Sequence, residues 1–191
     1  MTMIRTLRPL ATAAAASLLA LAACSDGAND NSQADAASPS GDTLAQAISQ
    51  AGNLSTVTKA MGDSGLSQIF DGAGSYTIFA PNDQAFADLG EAGAGLGDPD
   101  QRAVMVAILR DHIVPGYLTP TDIESAIDSQ GGAVAVGTMG DHTLRFTRDQ
   151  GGVRVTNEDG STAMLSGDAL KASNGVAIPL DGVLKKLDAA G

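Results

Sequence analysis

The chain has 191 residues, enough for one domain with appendages, and a hydrophobic content of 43% supplies a core. Lys+Arg total 11 against 22 Asp+Glu, a formal charge of −11, and only 3% of residues are aromatic, with no Trp. A polyanion poor in stacking side chains repels nucleic acid and anionic headgroups at long range, which excludes nucleic acid as a general partner.

The first two dozen residues read as a targeting sequence. Arg5 and Arg8 form a positive n-region, and LATAAAASLLALAA, Leu10 to Ala23, forms an apolar h-region. That run is shorter than the roughly 20 residues a spanning helix needs. It ends in LAAC, Leu21 to Cys24, which resembles the lipobox of bacterial lipoproteins. The resemblance implies a signal peptide over 1–23 and lipid on Cys24, the only cysteine of the chain. Ser25 after it implies the outer membrane rather than the inner one. Without residues 1–23, nine basic residues remain against 22 acids, giving −13.

Residues 24–41 are expected to form a disordered acidic tether. From Ser25 to Asp42 there is no Leu, Ile, Val, Met or aromatic residue to bury. Its Asp residues lack the D-x-[DN]-x-[DN]-G spacing of a calcium loop.

Apolar periodicity begins at Leu44. TLAQAISQ places Leu44, Ala47 and Ile48 on one helical face, with Asp42 or Thr43 as N-cap. NLSTVTKAM predicts a second helix with Leu54, Val57 and Met61 on one face and Asn53 as cap. A short LSQIF turn and the turn DGAGS, Asp71 to Ser75, follow. In YTIFAPNDQAF, Tyr76 to Phe86, alternating residues make a strand that Pro81 ends by removing a donor and biasing Ala80 away from helix. Asn82 is a favoured N-cap, and Asp83 places negative charge at the positive end of the new helix.

GEAGAGLGDPD, Gly90 to Asp100, reads as a flexible loop, since it fits no phosphate-binding glycine register. PDQRAVMVAILRDH predicts a helix from about Pro99 to His112, with Val104, Ile108 and His112 sharing a face with Met105 and Leu109. His112 is placed on the apolar face, either as a ligand or base or as a buried imidazole pinning the helix end. His142, at the start of a strand, reads as solvated. TPTDIESAI predicts a helix capped by Thr119, with Pro120 at its first position and Ile123 and Ile127 inward. From Gly131 onward, AVAVG, HTLRFTR, GVRVTN, AMLSG and GVAIPL are short strand runs separated by turn dipeptides. Such short connections predict an antiparallel meander, and helices first with strands second is α+β segregation.

Three segments together resemble the fasciclin-like domain family. Phe79, Ala80, Pro81, Asn82, Asp83, Ala85 and Phe86 fit its first signature, F-A-P-[TN]-[DN]-x-A-F. SNGVAIPLDGVLKK, Ser173 to Lys186, is similar to the second through Asn174, Gly175, Val176, Asp181, Gly182, Val183 and Leu184. Ile178 stands where a histidine is frequent. LRDHIVPG resembles the family's Tyr-His segment through His112, Val114, Pro115 and Gly116, with Asp111 in place of the tyrosine. The resemblance covers a domain at 42–188. It implies a fasciclin-like α+β fold, with N-terminal helices packed against a mainly antiparallel β-sandwich or sheet formed largely by the C-terminal half. Phe79, Pro81, Phe86 and Asp181 are its structural positions, with Asp181 accepting backbone N–H bonds.

The resemblance also implies a non-catalytic adhesion or binding module of the envelope. Its partner would be a matrix protein, a glycan or another cell, with Asn82, Asp83 and His112 as candidate contacts. The alternative is an envelope-stress or small-molecule-carrier lipoprotein. No G-x-S-x-G elbow and no H-E-x-x-H spacing occur, so no enzyme, metal site or cofactor is expected. The domain is expected to be monomeric.

Overall fold

Short polar side chains decide where some of the helices begin. In a computed structural model, which describes residues 41–150 and 152–187, Thr43 opens α1 (Leu44–Gln50) with a capping box: its hydroxyl accepts the Gln46 N–H, and the Gln46 side chain accepts the Thr43 N–H. Thr119 does the same with Asp122 for α7 (Pro120–Ser129), whose Ile123 and Ile127 are buried as the spacing predicts. The signal peptide, Cys24 and nearly all of the tether lie outside the described residues.

Between these ends run α2 (Ser55–Ser64), the single turn α3 (Ser67–Phe70), strand β1 (Tyr76–Pro81) and α4 (Asp83–Ala87). The glycine-rich segment is not an irregular loop. It winds through α5 (Glu91–Ala94) and two 3₁₀ turns, Gly95–Gly97 and Pro99–Gln101, because Leu96 is pulled into the core. The next helix, α6 (Arg102–Asp111), starts after that second turn rather than at Pro99. It buries Met105, Ile108, Leu109 and His112 as the spacing predicts, and of the predicted face only Val104 turns outward, at 40% exposure.

The remaining strands are β2 (Ile113–Pro115), β3 (Ala133–Gly137), β4 (Thr143–Asp149), β5 (Gly152–Thr156), β6 (Thr162–Met164), β7 (Leu170–Ala172) and β8 (Gly175–Leu180). The predicted meander is β3-β4-β5-β6, antiparallel throughout. β8 departs from it and joins a second sheet of order β2-β1-β8-β7, where it runs parallel to β1 from Tyr76↔Gly175 to Pro81↔Leu180. The two sheets meet through the Leu165↔Leu180 bridge and the Ser166 N–H bond to the Pro179 carbonyl.

β1 and β8 are buried along almost their whole length because both faces of their sheet are covered. Ile78, Ala80 and Ala177 join the core under α1, α2, α3 and α6. Phe79, Val176, Ile178 and Leu180 join the core shared with the meander and α7, where the Phe79 and Phe146 rings meet at a 40° tilt with 5.0 Å between centroids. Ile178, at the family's frequent histidine position, is thus an apolar core residue paired with Phe79.

Candidate functional site

The hinge between β1 and α4 carries two helix caps on consecutive residues. Asn82 Oδ1 accepts the Ala85 N–H at 2.8 Å, the N-cap of α4. Asp83 turns its carboxylate the other way, to the start of α2. There it accepts the Thr56 N–H at 2.8 Å, the Ser55 N–H at 3.2 Å and the Ser55 hydroxyl at 2.8 Å. Leu54 precedes α2 and has no capping side chain, so the expected cap by Asn53 is not made. Instead the Asn53 carbonyl accepts the Asp83 N–H at 2.9 Å. Burial by itself raises the Asp83 pKa, but the donors of Thr56 and Ser55 outweigh it and hold the carboxyl below its ordinary value. The backbone N–H of Asn82 donates to the Leu180 carbonyl, continuing the parallel ladder and locking the hinge to the end of β8.

Asp181, one residue beyond, accepts the Met164 N–H at 2.6 Å. It fastens the end of β8 to β6, a backbone-capping role of the kind expected from its sequence context. Asn174, on the approach to β8, holds more than a turn. Its Oδ1 accepts the Leu44 N–H at 2.7 Å, and its Nδ2 donates to the carbonyls of Phe70 and Gly72. One amide therefore ties the first turn of α1 to the end of α3. Thr77, fully buried in β1, donates to the Gly116 carbonyl and accepts the Leu118 N–H, each at 2.8 Å. Neither role is visible in local sequence, because each partner lies more than thirty residues away.

His112 ends α6 with its ring 1% exposed. Nδ1 lies 2.7 Å from the Ile108 carbonyl and so must donate, while Nε2 accepts the Leu184 N–H at 2.9 Å. Both nitrogens serve the neutral tautomer. Burial disfavours the cation and pushes the pKa down to about 4 despite the Ile108 bond. The imidazole pins the end of α6 to the segment after β8, and as placed it offers no nitrogen to a partner.

Asp111 is also buried, where the resemblance has a tyrosine. His142 Nδ1 bonds Asp111 Oδ1 at 2.6 Å and Lys185 Nζ stands 3.8 Å from Oδ2. His142 is therefore not simply solvated. A buried carboxylate needs such partners, and Gly140 leaves room for it, since a Cβ there would overlap Asp111 Oδ1. Among the described residues no group of three His, Cys, Asp or Glu could hold a metal ion, and no buried side-chain nitrogen or oxygen lacks a hydrogen-bond partner.

Next to the hinge, a cleft of about 270 Å3 opens between α2, the glycine-rich turns and the start of α6. Ala60, Phe86, Leu96 and Met105 line it with apolar surface, and Lys59, Asp63, Asp98 and Arg102 bring charge to it. Phe86, a residue of the first signature, thus reaches from core packing to a solvent-connected cavity.

A family model described as the fasciclin domain matches residues 52–186, a span holding all three sequence segments singled out above. Protein sll1483 of Synechocystis sp. is 30% identical over 151 residues, covering 78% of this chain and 76% of that protein. The structure of a FAS1 domain pair from the insect cell adhesion molecule fasciclin I superposes with a TM-score of 0.66 at 17% identity, covering 76% of this chain. This chain spans 51% of that domain pair, and a likeness at such identity is one of fold.

Proposed function

This chain belongs to the fasciclin domain family, whose domains are generally adhesion or binding modules, and from that premise we propose that it is a lipid-anchored, non-catalytic adhesion module of a bacterial envelope. Family membership is the observation that carries the reading. The hinge chemistry supports it: Asn82 Oδ1, both carboxylate oxygens of Asp83 and both ring nitrogens of His112 are committed within the fold, which favours the signature as scaffold rather than reactive centre. The anchor is lipid on Cys24, in the outer membrane, with the acidic tether over 24–41 holding the domain off the surface. The partner is a protein or glycan. Its contact surface is built on the first signature and on the segment after His112, where Pro115 and Tyr117 are exposed.

Metabolic labelling with a fatty acid tests the anchor. Label on the wild-type chain and none on Cys24→Ala is expected, and label that survives the substitution rejects it. Loss of surface attachment and aggregation in cells lacking the protein tests adhesion. Unchanged attachment rejects that role.

A further inference from the structure

The cleft beside α2 has a charge arrangement that the adhesion reading does not use. Lys59 and Asp63, one turn apart on α2, neutralise each other through an ion pair at 2.7 Å. Asp98 and Arg102 differ. Both are exposed, both line the cleft, and among the described residues neither takes part in an ion pair or a side-chain hydrogen bond. Arg102 acts on Asp63 only through its field. One carboxylate and one guanidinium, uncommitted to each other, thus stand at the mouth of a cavity floored by Ala60, Phe86, Leu96 and Met105.

We propose that this cleft binds a small zwitterion with an apolar side chain, of the chemical class of an apolar α-amino acid. Arg102 takes the carboxylate, Asp98 takes the ammonium, and the side chain lies on Phe86 and Met105. Arg is suited to the first task because its planar fork matches a carboxylate. A volume of about 270 Å3 sits just below the usual range of ligand pockets, roughly 300–1,000 Å3, which selects a small occupant. Net charge selects further. A chain of −11 repels a fatty carboxylate at long range, whereas a zwitterion approaches without that penalty. The inference needs no macromolecular partner, so its failure leaves adhesion standing and the reverse.

Titration calorimetry of the purified chain with L-leucine and L-phenylalanine tests it. Saturable binding is expected, with N-acetyl-leucine, leucinamide and octanoate each bound at least about tenfold more weakly, as loss of one charge-assisted contact implies. Asp98 and Arg102 are exposed, so Arg102→Gln and Asp98→Asn are expected to leave folding intact; each is expected to weaken leucine about tenfold or more, Arg102→Gln without further loss for leucinamide. The proposal is overturned by the absence of saturable heat, by octanoate or the capped analogues binding as well as leucine, or by insensitivity to both substitutions.

Discussion

Asp83 accepts the backbone N–H of Thr56 at 2.8 Å, so a carboxylate in the first turn of α4 caps α2, which begins 28 residues earlier at Ser55. Two helices are therefore started by two adjacent residues, Asn82 and Asp83. The pair ties the start of α2 and the start of α4 to the end of β1.

Replacing either cap exposes this division. Asn82→Ala removes one acceptor and is expected to cost about 1 kcal/mol. Asp83→Ala leaves two backbone donors and a hydroxyl of α2 without their acceptor, and is expected to cost more, about 2 kcal/mol. Urea midpoints measure both. An Asp83→Ala midpoint equal to wild type rejects the long-range cap.

Acid should weaken the fold before its carboxylates titrate. His112 has its pKa lowered from 6.5 to about 4 by burial, so the unfolded chain binds a proton that the native one refuses between those values. The contribution is complete above pH 6.5, falls as pH drops toward 4, and totals about 3 kcal/mol at its limit. Asp83, Asp122 and Asp159, all held below the ordinary carboxylate value, add their loss only below about pH 4. Denaturant midpoints from pH 7 to 4.5 should decline, and a flat profile there contradicts the buried neutral imidazole.

Gly175 is required by close approach rather than by its dihedral angles. A Cβ on it would overlap the Tyr76 carbonyl oxygen and meet Leu44 Cδ2 at 2.7 Å. The first obstacle is backbone of the neighbouring strand and cannot swing away. Gly175→Ala is expected to destabilise by about 1–3 kcal/mol. Gly137→Ala meets nothing within 4 Å and serves as the control. Equal midpoints for the two variants reject the steric argument.

Asn174→Ala should be the most damaging polar deletion away from the hinge. It removes the acceptor of the Leu44 N–H and the donor to the Phe70 and Gly72 carbonyls at once. A loss of about 2–3 kcal/mol is expected. Asn174→Asp keeps the acceptor yet aims a carboxylate at two carbonyl oxygens, and should recover little of it. Full recovery by Asp places the energy in the Leu44 bond alone.

Chemistry written within a few residues was legible in the sequence. Thr43 and Thr119 cap their helices, Pro81 closes β1, and Leu54, Val57 and Met61 face inward as their spacing requires. What escaped depends on partners far along the chain. GVAIPL looks like the last strand of a meander, but its side chains are apolar on both faces, as suits a central strand of a covered sheet. Gly90–Asp100 looks like a loop by composition, yet it forms helical turns that carry Leu96 into the core. Val104 is apolar and at helical spacing with Ile108, so periodicity places it inward, but the core takes Met105, Ile108 and Leu109 and leaves Val104 at the edge of that face. Of the site, the family positions could be read, but the cleft of Asp98 and Arg102 arises from the path of the glycine-rich turns and leaves no local signal.

The parallel pairing of β1 with β8 also sets the order in which this protein can be completed as it is made. Tyr76 leaves the ribosome nearly a hundred residues before Gly175, its partner in the ladder. At about 5–20 residues per second, β1 waits roughly 5–20 s with the long edge that β8 will occupy still open. Closing so long a loop is the slow step of such a topology. A chain stalled before Leu180 has helices and a meander but no central pair of strands, so quality control would meet it as an unfinished molecule rather than as a smaller stable one.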